Sequence, residues 1–175
     1  MAGNFIDHSA DFKTKMRQGA VMGLEACGHQ AVSHAKNEIT AQVPRNGGAS
    51  WYTLTGDLKK GISNKVVDPE LTVYIGTNLE YAKYNEYGTG IYAEGGGGKQ
   101  GFWVFVPGSS SGGVGGAKAY TEAEAKRIVA ILQSKGIDAH MTNGMKPIHF
   151  LKNAVEKNAK EYHAILIKYI QKAFH

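Results

Sequence analysis

The sequence has little of what several protein classes require. It contains a single cysteine, Cys27, which excludes an intramolecular disulfide framework, suits a reducing compartment and is expected to be a small packed residue. No apolar run approaches the ~20 residues that a membrane-spanning helix needs. The first fifteen residues are polar and mixed in charge, so we expect no secretion signal. A content of 42% hydrophobic and 20% charged residues in a 175-residue chain predicts one globular domain over residues 1–175.

The patterns that mark catalytic and metal sites are also missing. None of the seven histidines forms an H-x-x-x-H pair, and the sequence contains no Cys/His cluster, so no metal site is predicted. No G-x-S-x-G nucleophile motif occurs, and Glu80 and Glu86 carry no mark of an acid–base pair. We therefore predict that the protein is not an enzyme and that it has no catalytic residues.

Two glycine-rich stretches have the form of nucleotide-binding loops but lack the required context. The stretch GTGIYA (88–93) fits G-x-G-x-x-A, yet it does not link an apolar strand to a helix, and no acid follows about 20 residues later. The stretch AEGGGGKQ has Ala93 where a phosphate loop begins with glycine, and Gln100 where Ser or Thr would hold magnesium. No cofactor is predicted.

Hydrophobic periodicity predicts an α+β fold, with two long terminal helices packed against a small, mainly antiparallel sheet. Apolar residues three or four apart predict helices at about 9–41, with Ser9 as N-cap, and at about 147–173, after Pro147. Residues 62–67 (ISNKVV) are expected to form the first strand of a β-hairpin, and residues 71–76 (LTVYIG), which have alternating faces, the second.

An inserted strand–helix–strand unit is predicted at about 102–142. Its strands are FWVFV (102–106) and IDAHM (137–141), joined by a right-handed crossover if they are parallel. Thr121 and Glu124 form a T-x-x-E capping box, and Gly136 stands where a C′ glycine ends a helix. Composition predicts flexible loops at about 94–101 and 107–118, Pro44 should stop the first helix, and Thr55 is expected to cap a short turn at 56–60.

The positive charge is concentrated near the C-terminus. Residues 145–175 hold six lysines against two glutamates, whereas the remainder of the chain is nearly neutral. This segment could meet nucleic acid or an acidic protein face, or it could be an ordinary solvated helix face.

The stretch LEYAKYNEYGTGIY (79–92) carries tyrosines at 81, 84 and 87, a spacing that places them on one face of a short helical turn. Tyrosine combines a large apolar area with a polar tip, so this face predicts a recognition surface. Each tyrosine could instead cap the core of the sheet. Gly88 is expected to end the turn before Thr89, and Glu86 to anchor it through backbone amides or a lysine.

The order of four motifs resembles the head–tail-joining, or tail-completion, family of long-tailed bacteriophages. The motifs are TGDLKKGI, a hairpin ending in VYIGT, YAKYNEYGTG, and MKPIHFLKNAVEKN, and together they extend over nearly the whole chain. Two departures are the longer region 102–142 and the form P-I-H-F-L. The family pattern falls here on Thr55, Gly56, Leu58, Gly61, Ile62, Gly76, Thr77, Tyr81, Ala82, Glu86, Gly88, Thr89, Pro147, Phe150, Leu151 and Ala154.

The resemblance implies a structural virion protein at the neck, where it completes the tail and helps it join a DNA-filled head. It implies partners among the tail-tube, terminator and connector proteins, assembly as a ring or at stoichiometric sites, proximity to DNA in the channel, and no membrane. The protein would then be found in the virion, and in the host cytoplasm during assembly. The alternative function is a basic nucleic-acid-binding module that uses the lysine-rich C-terminal helix.

Overall fold

The computed structural model describes residues 7–42, 56–107 and 118–175, and it confirms the α+β class. The chain falls into two compact units, Met1–Leu79 with Phe150–His175, and Glu80–His149. One domain over residues 1–175 stays a prediction. The helices are α1 (Ser9–Gln42), α2 (Asp57–Gly61), α3 (Ala82–Tyr87), α4 (Glu122–Ser134), α5 (Phe150–Lys157) and α6 (Ala159–Lys172). The strands are β1 (Ser63–Val67), β2 (Thr72–Gly76), β3 (Trp103–Phe105) and β4 (His140–Thr142).

The first unit is organised by α1, which packs most extensively against α6 and also against α5, β1 and β2. Small residues on α1 let α6 approach closely. A Cβ at Gly19 would lie 2.8 Å from the Cα of Ile170, and one at Gly23 would lie 2.8 Å from a methyl carbon of Leu166. Farther along the same stripe, Cys27, Ala31, Ala35 and Ile39 are buried.

The predicted hairpin is confirmed as the antiparallel pair β1–β2, in register from Ser63↔Gly76 to Val67↔Thr72. A 3-10 helical turn at Asp68–Glu70 joins the strands, and Leu71 leaves it with a left-handed φ of 47°. The hairpin lies close against α1. A Cβ at Gly28 would collide with the side chains of Asn64 and Val73, so glycine is required for this approach.

The start of α1 differs from its prediction by one residue. The helix begins at Ser9, and the first helical hydrogen bond runs from the Phe12 N–H to the His8 carbonyl, which makes His8 the N-cap. The Asp7 carboxylate accepts the Ser9 N–H at 2.8 Å. A side chain therefore accepts one N–H of the first turn, as predicted for an N-cap, but the side chain is that of Asp7 and not of Ser9. This hydrogen bond lowers the pKa of Asp7.

The predicted single C-terminal helix is wrong in two respects. Helix formation starts at Phe150 and not at Pro147, since His149 has a left-handed φ of 55°. Asn158, with φ −115° and ψ 13°, then separates α5 from α6. The Ala154 carbonyl accepts the Asn158 side-chain amide at 2.8 Å and the Tyr162 hydroxyl at 2.7 Å. Asparagine favours such local bonds to the backbone, which compete with the helical ladder.

The second unit contains the predicted strand–helix–strand segment, but β3 and β4 are antiparallel, so no parallel crossover exists. Trp103 pairs with Thr142 and Phe105 with His140. Because β1–β2 and β3–β4 are separate two-stranded sheets, the described residues do not form the single central sheet that we expected. Side chains on one face of β3–β4 build a core with α4, around the buried Val104, Ala125 and Ala139.

Both predicted ends of α4 are confirmed. The Thr121 hydroxyl accepts the Glu124 N–H, and the Glu124 carboxylate accepts the Thr121 N–H at 2.8 Å, which completes the capping box. At the other end Gly136 has φ 76°, and the Ile137 N–H bonds to the Leu132 carbonyl at 3.0 Å, as in a Schellman motif.

The segment 94–101 contains turns and bends but no helix or strand, as expected of a loop, and its flexibility stays a prediction. The cap at Thr55, the stop at Pro44, and residues 108–117 of the second predicted loop lie outside the described residues.

Candidate interaction surface

The candidate surface is built on α3, a helix of six residues with two different faces. Tyr81 precedes the helix and Tyr84 and Tyr87 lie within it, with exposed fractions of 41%, 49% and 56%. Ala82, Asn85 and Glu86 are buried. The three-residue spacing therefore brings all three tyrosines to the surface of their unit, and the alternative of capping the sheet's core is wrong for them.

Glu86 lies on the inner side of α3 and is only 5% exposed. Its backbone carbonyl accepts the His149 N–H at 3.3 Å, and the carbonyl of its neighbour Asn85 accepts the Ile148 N–H at 2.8 Å. Because it is buried, Glu86 is poorly placed to meet a partner directly, and the anchoring role of its carboxylate stays a prediction.

Gly88 ends α3 as predicted, because the chain leaves the helix with φ 76° at this residue. A side chain here would collide with the carbonyl oxygens of Met145 and Tyr92, each 2.8 Å from the Cβ position. The chain then folds back, so that the Glu94 N–H reaches the Tyr87 carbonyl at 2.9 Å.

Thr89 connects the segment after α3 to the segment before α5 through two hydrogen bonds. Its N–H donates to the Met145 carbonyl at 2.9 Å, and its hydroxyl accepts the Met145 N–H at 3.0 Å. Gly90 and Gly144 pass each other so closely that neither position has room for a Cβ. The His149 Nε2 also lies 3.1 Å from a carboxylate oxygen of Glu94. Gly88 and Thr89 are therefore supports of the surface.

Four neighbouring residues extend the surface and were not predicted as part of it. Ile91 and Tyr92 belong to a 3-10 helical turn at Gly90–Tyr92, and both are exposed. The Lys83 ammonium lies 5.2 Å from the centre of the Tyr84 ring, and the Lys146 ammonium lies 5.7 Å from that of Tyr92. The position of Lys83 directly before Tyr84 was a usable signal that Lys83 belongs to this surface. Lys146 is 54 positions beyond Tyr92, and only the fold brings it there.

We call this set of exposed residues the tyrosine surface. It comprises Tyr81, Lys83, Tyr84, Tyr87, Ile91, Tyr92 and Lys146.

The lysines of the C-terminal segment do not all have the same kind of neighbour. Lys146 belongs to the tyrosine surface, whereas Lys157 forms an ion pair of 2.8 Å with Glu38 of α1. Lys160, Lys168 and Lys172 are exposed along α6. The cluster thus divides into residues with different neighbours.

Within residues 7–42, 56–107 and 118–175, no three His, Cys, Asp or Glu side chains are grouped so that they could hold a metal ion. In the same part of the chain, no helix is both long and apolar enough to cross a membrane. The tyrosine surface presents aromatic rings, hydroxyl groups and ammonium groups on a backbone that is held by hydrogen bonds.

Comparison with protein-family models, with curated proteins and with solved structures finds no match to this chain. The function must therefore be argued from the chain's own residues.

Proposed function

We propose that the protein is a structural virion component of a bacteriophage neck, where it completes the tail and helps it join the DNA-filled head. The order of the four sequence motifs supports this proposal, as does their position in the fold. Several motif residues are buried, including Leu58, Ile62, Ala82, Phe150 and Ala154, as expected for a pattern that specifies a fold.

The observation that carries the proposal is the tyrosine surface. Exposed aromatic side chains on a rigid helix favour protein contacts, because tyrosine contributes much area and loses little side-chain entropy on binding. The inner side of α3 is fixed by backbone hydrogen bonds from Ile148 and His149 to the carbonyls of Asn85 and Glu86. The partners proposed are tail-tube, terminator and connector proteins, met in a ring or at stoichiometric sites. The protein acts in the virion after assembly in the host cytoplasm.

Deletion of the gene from its phage tests the proposal. We expect filled heads and complete-length tails that stay separate in electron micrographs, and we expect added wild-type protein to restore joining. Tyr84→Ala with Tyr87→Ala should restore it poorly. Tyr74→Ala is the matched control, since Tyr74 is 55% exposed on β2, outside the tyrosine surface. Normal joining after the deletion would contradict the proposal.

A second candidate function is binding of nucleic acid by α6. Lys160, Lys168 and Lys172 are exposed, and no carboxylate among the described residues lies at ion-pair distance from them. Unpaired lysines along one helix can neutralise phosphates, and such binding weakens steeply with salt. A neck channel that holds DNA would make this compatible with the first proposal.

A further inference from the structure

We infer that the tyrosine surface recognises an acidic protein segment, one in which carboxylates stand beside apolar side chains. The inference rests on the proposed function and names the chemistry of the partner at the same surface. Two features of the described residues carry it: unpaired ammonium groups and free phenol donors.

The two lysines of the surface have aromatic neighbours but no acidic ones. Lys83 lies over Tyr84 and Lys146 over Tyr92, and neither has a carboxylate at ion-pair distance among the described residues. Lys126, in the same unit, differs from them because its ammonium forms an ion pair of 2.7 Å with Glu122. The rings hold both ammonium groups beside apolar surface, where an incoming carboxylate would find them already placed.

The hydroxyl groups of the surface point to the same partner. The phenols of Tyr81, Tyr84, Tyr87 and Tyr92 have no hydrogen-bond partner within the described part of the chain, whereas that of Tyr74 donates to Glu70. Ammonium groups donate only, and phenols can donate, so the surface is rich in donors. Carboxylates only accept and therefore complement it, while the ring faces and Ile91 require apolar contact.

A nucleic-acid strand fits this surface less well. Residues 80–149 contain seven lysines and arginines against six aspartates and glutamates, a net charge of +1, which gives little attraction for a phosphate backbone. Binding of single strands also uses open ring faces on which bases stack. Lys83 and Lys146 already lie over the faces of Tyr84 and Tyr92.

A second copy of the chain is a poorer occupant for a different reason. In a two-fold symmetric dimer the same patch meets itself, so each surface would bring its two unpaired lysines toward those of the other copy. An acidic partner removes this repulsion.

The binding experiment uses the full-length protein labelled with ¹⁵N and two synthetic peptides. One peptide repeats Asp-Leu-Ser four times, and the control peptide repeats Asn-Leu-Ser four times. We expect the aspartate peptide to shift the amide signals of residues 81–92 and 146, and to bind at least tenfold more tightly than the control at about 50 mM salt. Its affinity should fall at least fivefold at about 500 mM salt, because screening weakens exposed charge pairs.

The variant Lys83→Glu with Lys146→Glu should lose at least tenfold in affinity for the aspartate peptide. The matched control is Lys126→Glu with Lys135→Glu, which alters two other exposed lysines of the same unit and gives an equal change in net charge. Lys83→Gln with Lys146→Gln replaces the first variant if charge reversal impairs folding. Equal binding of the two peptides, no shift at about 1 mM peptide, equal loss in both variants, or tighter binding of an oligothymidine of similar length would each overturn the inference.

The joining assay separates this inference from the proposed function. If deletion of the gene blocks joining but Lys83→Glu with Lys146→Glu joins heads and tails as well as its control, the acidic partner is wrong and the neck function stands. If deletion leaves joining intact, the neck function fails, and the peptide titration alone decides the chemistry of the surface.

Discussion

At the scale of single residues, one partly buried cluster connects α1 to α6. The Tyr162 hydroxyl donates to the Ala154 carbonyl, so its oxygen accepts from the His34 Nδ1 at 2.8 Å, which places the imidazole proton on Nδ1. The Cys27 thiol contacts the Tyr162 carbonyl at 3.3 Å. Burial raises the pKa of Cys27, and burial, with Glu161 and Cys27 adding to it, raises the pKa of Tyr162.

These pKa shifts predict that stability falls in alkaline solution. Both groups hold their protons more tightly in the folded protein than in the unfolded chain, where the usual pKa values are 9.0 for the thiol and 10.0 for the phenol. Their contribution is complete below pH 9, and it is lost as pH rises through the unfolded and then the folded values. The check is urea unfolding at about pH 8 and pH 10.5.

The variant Cys27→Ala with Tyr162→Phe is the comparison for this experiment. It should be less stable than wild type at pH 8, because it loses partly buried hydrogen bonds, each worth about 1 kcal/mol. Its stability should also fall less between the two pH values, since neither group remains to titrate. Equal losses in the two proteins would rule out this origin of the pH dependence.

At the scale of elements, the close packing of α1 against α6 determines how replacing a glycine of α1 changes the stability of the protein. Propensity alone predicts that alanine in place of a helical glycine stabilises by up to ~1 kcal/mol. A Cβ at Gly19, however, would press on the backbone of Ile170 at 2.8 Å, and a backbone atom yields less readily than the end of a side chain. We expect the packing effect to be the larger one.

Gly19→Ala should therefore destabilise the protein by about 1–3 kcal/mol, the usual cost of overpacking a close contact. Ser33→Ala, at an exposed position of the same helix, should change stability by no more than about 0.5 kcal/mol. Chemical denaturation of the two variants and wild type measures both values. A gain in stability for Gly19→Ala would show that α6 can move aside without cost.

The elements that could be predicted from sequence are those whose signals are local. The helical period of α1, the sequence of the β1–β2 hairpin and the Thr121 capping box each lie within one segment of chain. The structure confirms these elements, although Phe12 and Met16 at the start of the apolar stripe of α1 are exposed. The break at Asn158 was missed because it depends on the Asn158 side-chain amide and the Tyr162 hydroxyl, which both donate to the Ala154 carbonyl in competition with the helical ladder. The antiparallel pairing of β3 with β4 was missed because strand direction depends on contacts distant in sequence.

The candidate site was predictable to a similar extent. The spacing of Tyr81, Tyr84 and Tyr87 was sufficient to place them on one face of a short turn, whereas the exposure of that face required the structure. The contributions of Lys146 and of the Met145 hydrogen bonds required the fold, since they come from a segment more than 50 residues away.

At the scale of the whole molecule, charge separates the two candidate functions. The net charge is +5, and residues 150–175 supply +3 of it, with five lysines against two glutamates. The tyrosine surface lies in a segment of net charge +1. A protein contact through α3 and a phosphate contact through α6 would therefore respond differently to salt.

If α6 binds nucleic acid through Lys160, Lys168 and Lys172, the affinity for duplex DNA should fall with a log–log salt slope near −2.7, about 0.9 for each phosphate neutralised. Lys→Gln at all three positions should reduce the slope to near zero. The same change at Lys59, Lys126 and Lys135 should leave the slope nearly unchanged. Fluorescence anisotropy with a labelled duplex measures it, and no binding at about 20 mM salt would remove the second candidate function.

The run of four glycines after Glu94 has a use in labelling chemistry. A Cβ at Gly98 would collide with the Gly90 carbonyl, whereas the Cβ positions of Gly95, Gly96 and Gly97 have no atom within 4 Å. Gly95 and Gly96 have positive φ, which leaves Gly97 as the position where a side chain is tolerated. Gly97→Cys would offer an accessible thiol, while the buried Cys27 would react slowly because its pKa is raised. A dye attached there would sit five residues from Tyr92 and could report directly on what the tyrosine surface binds.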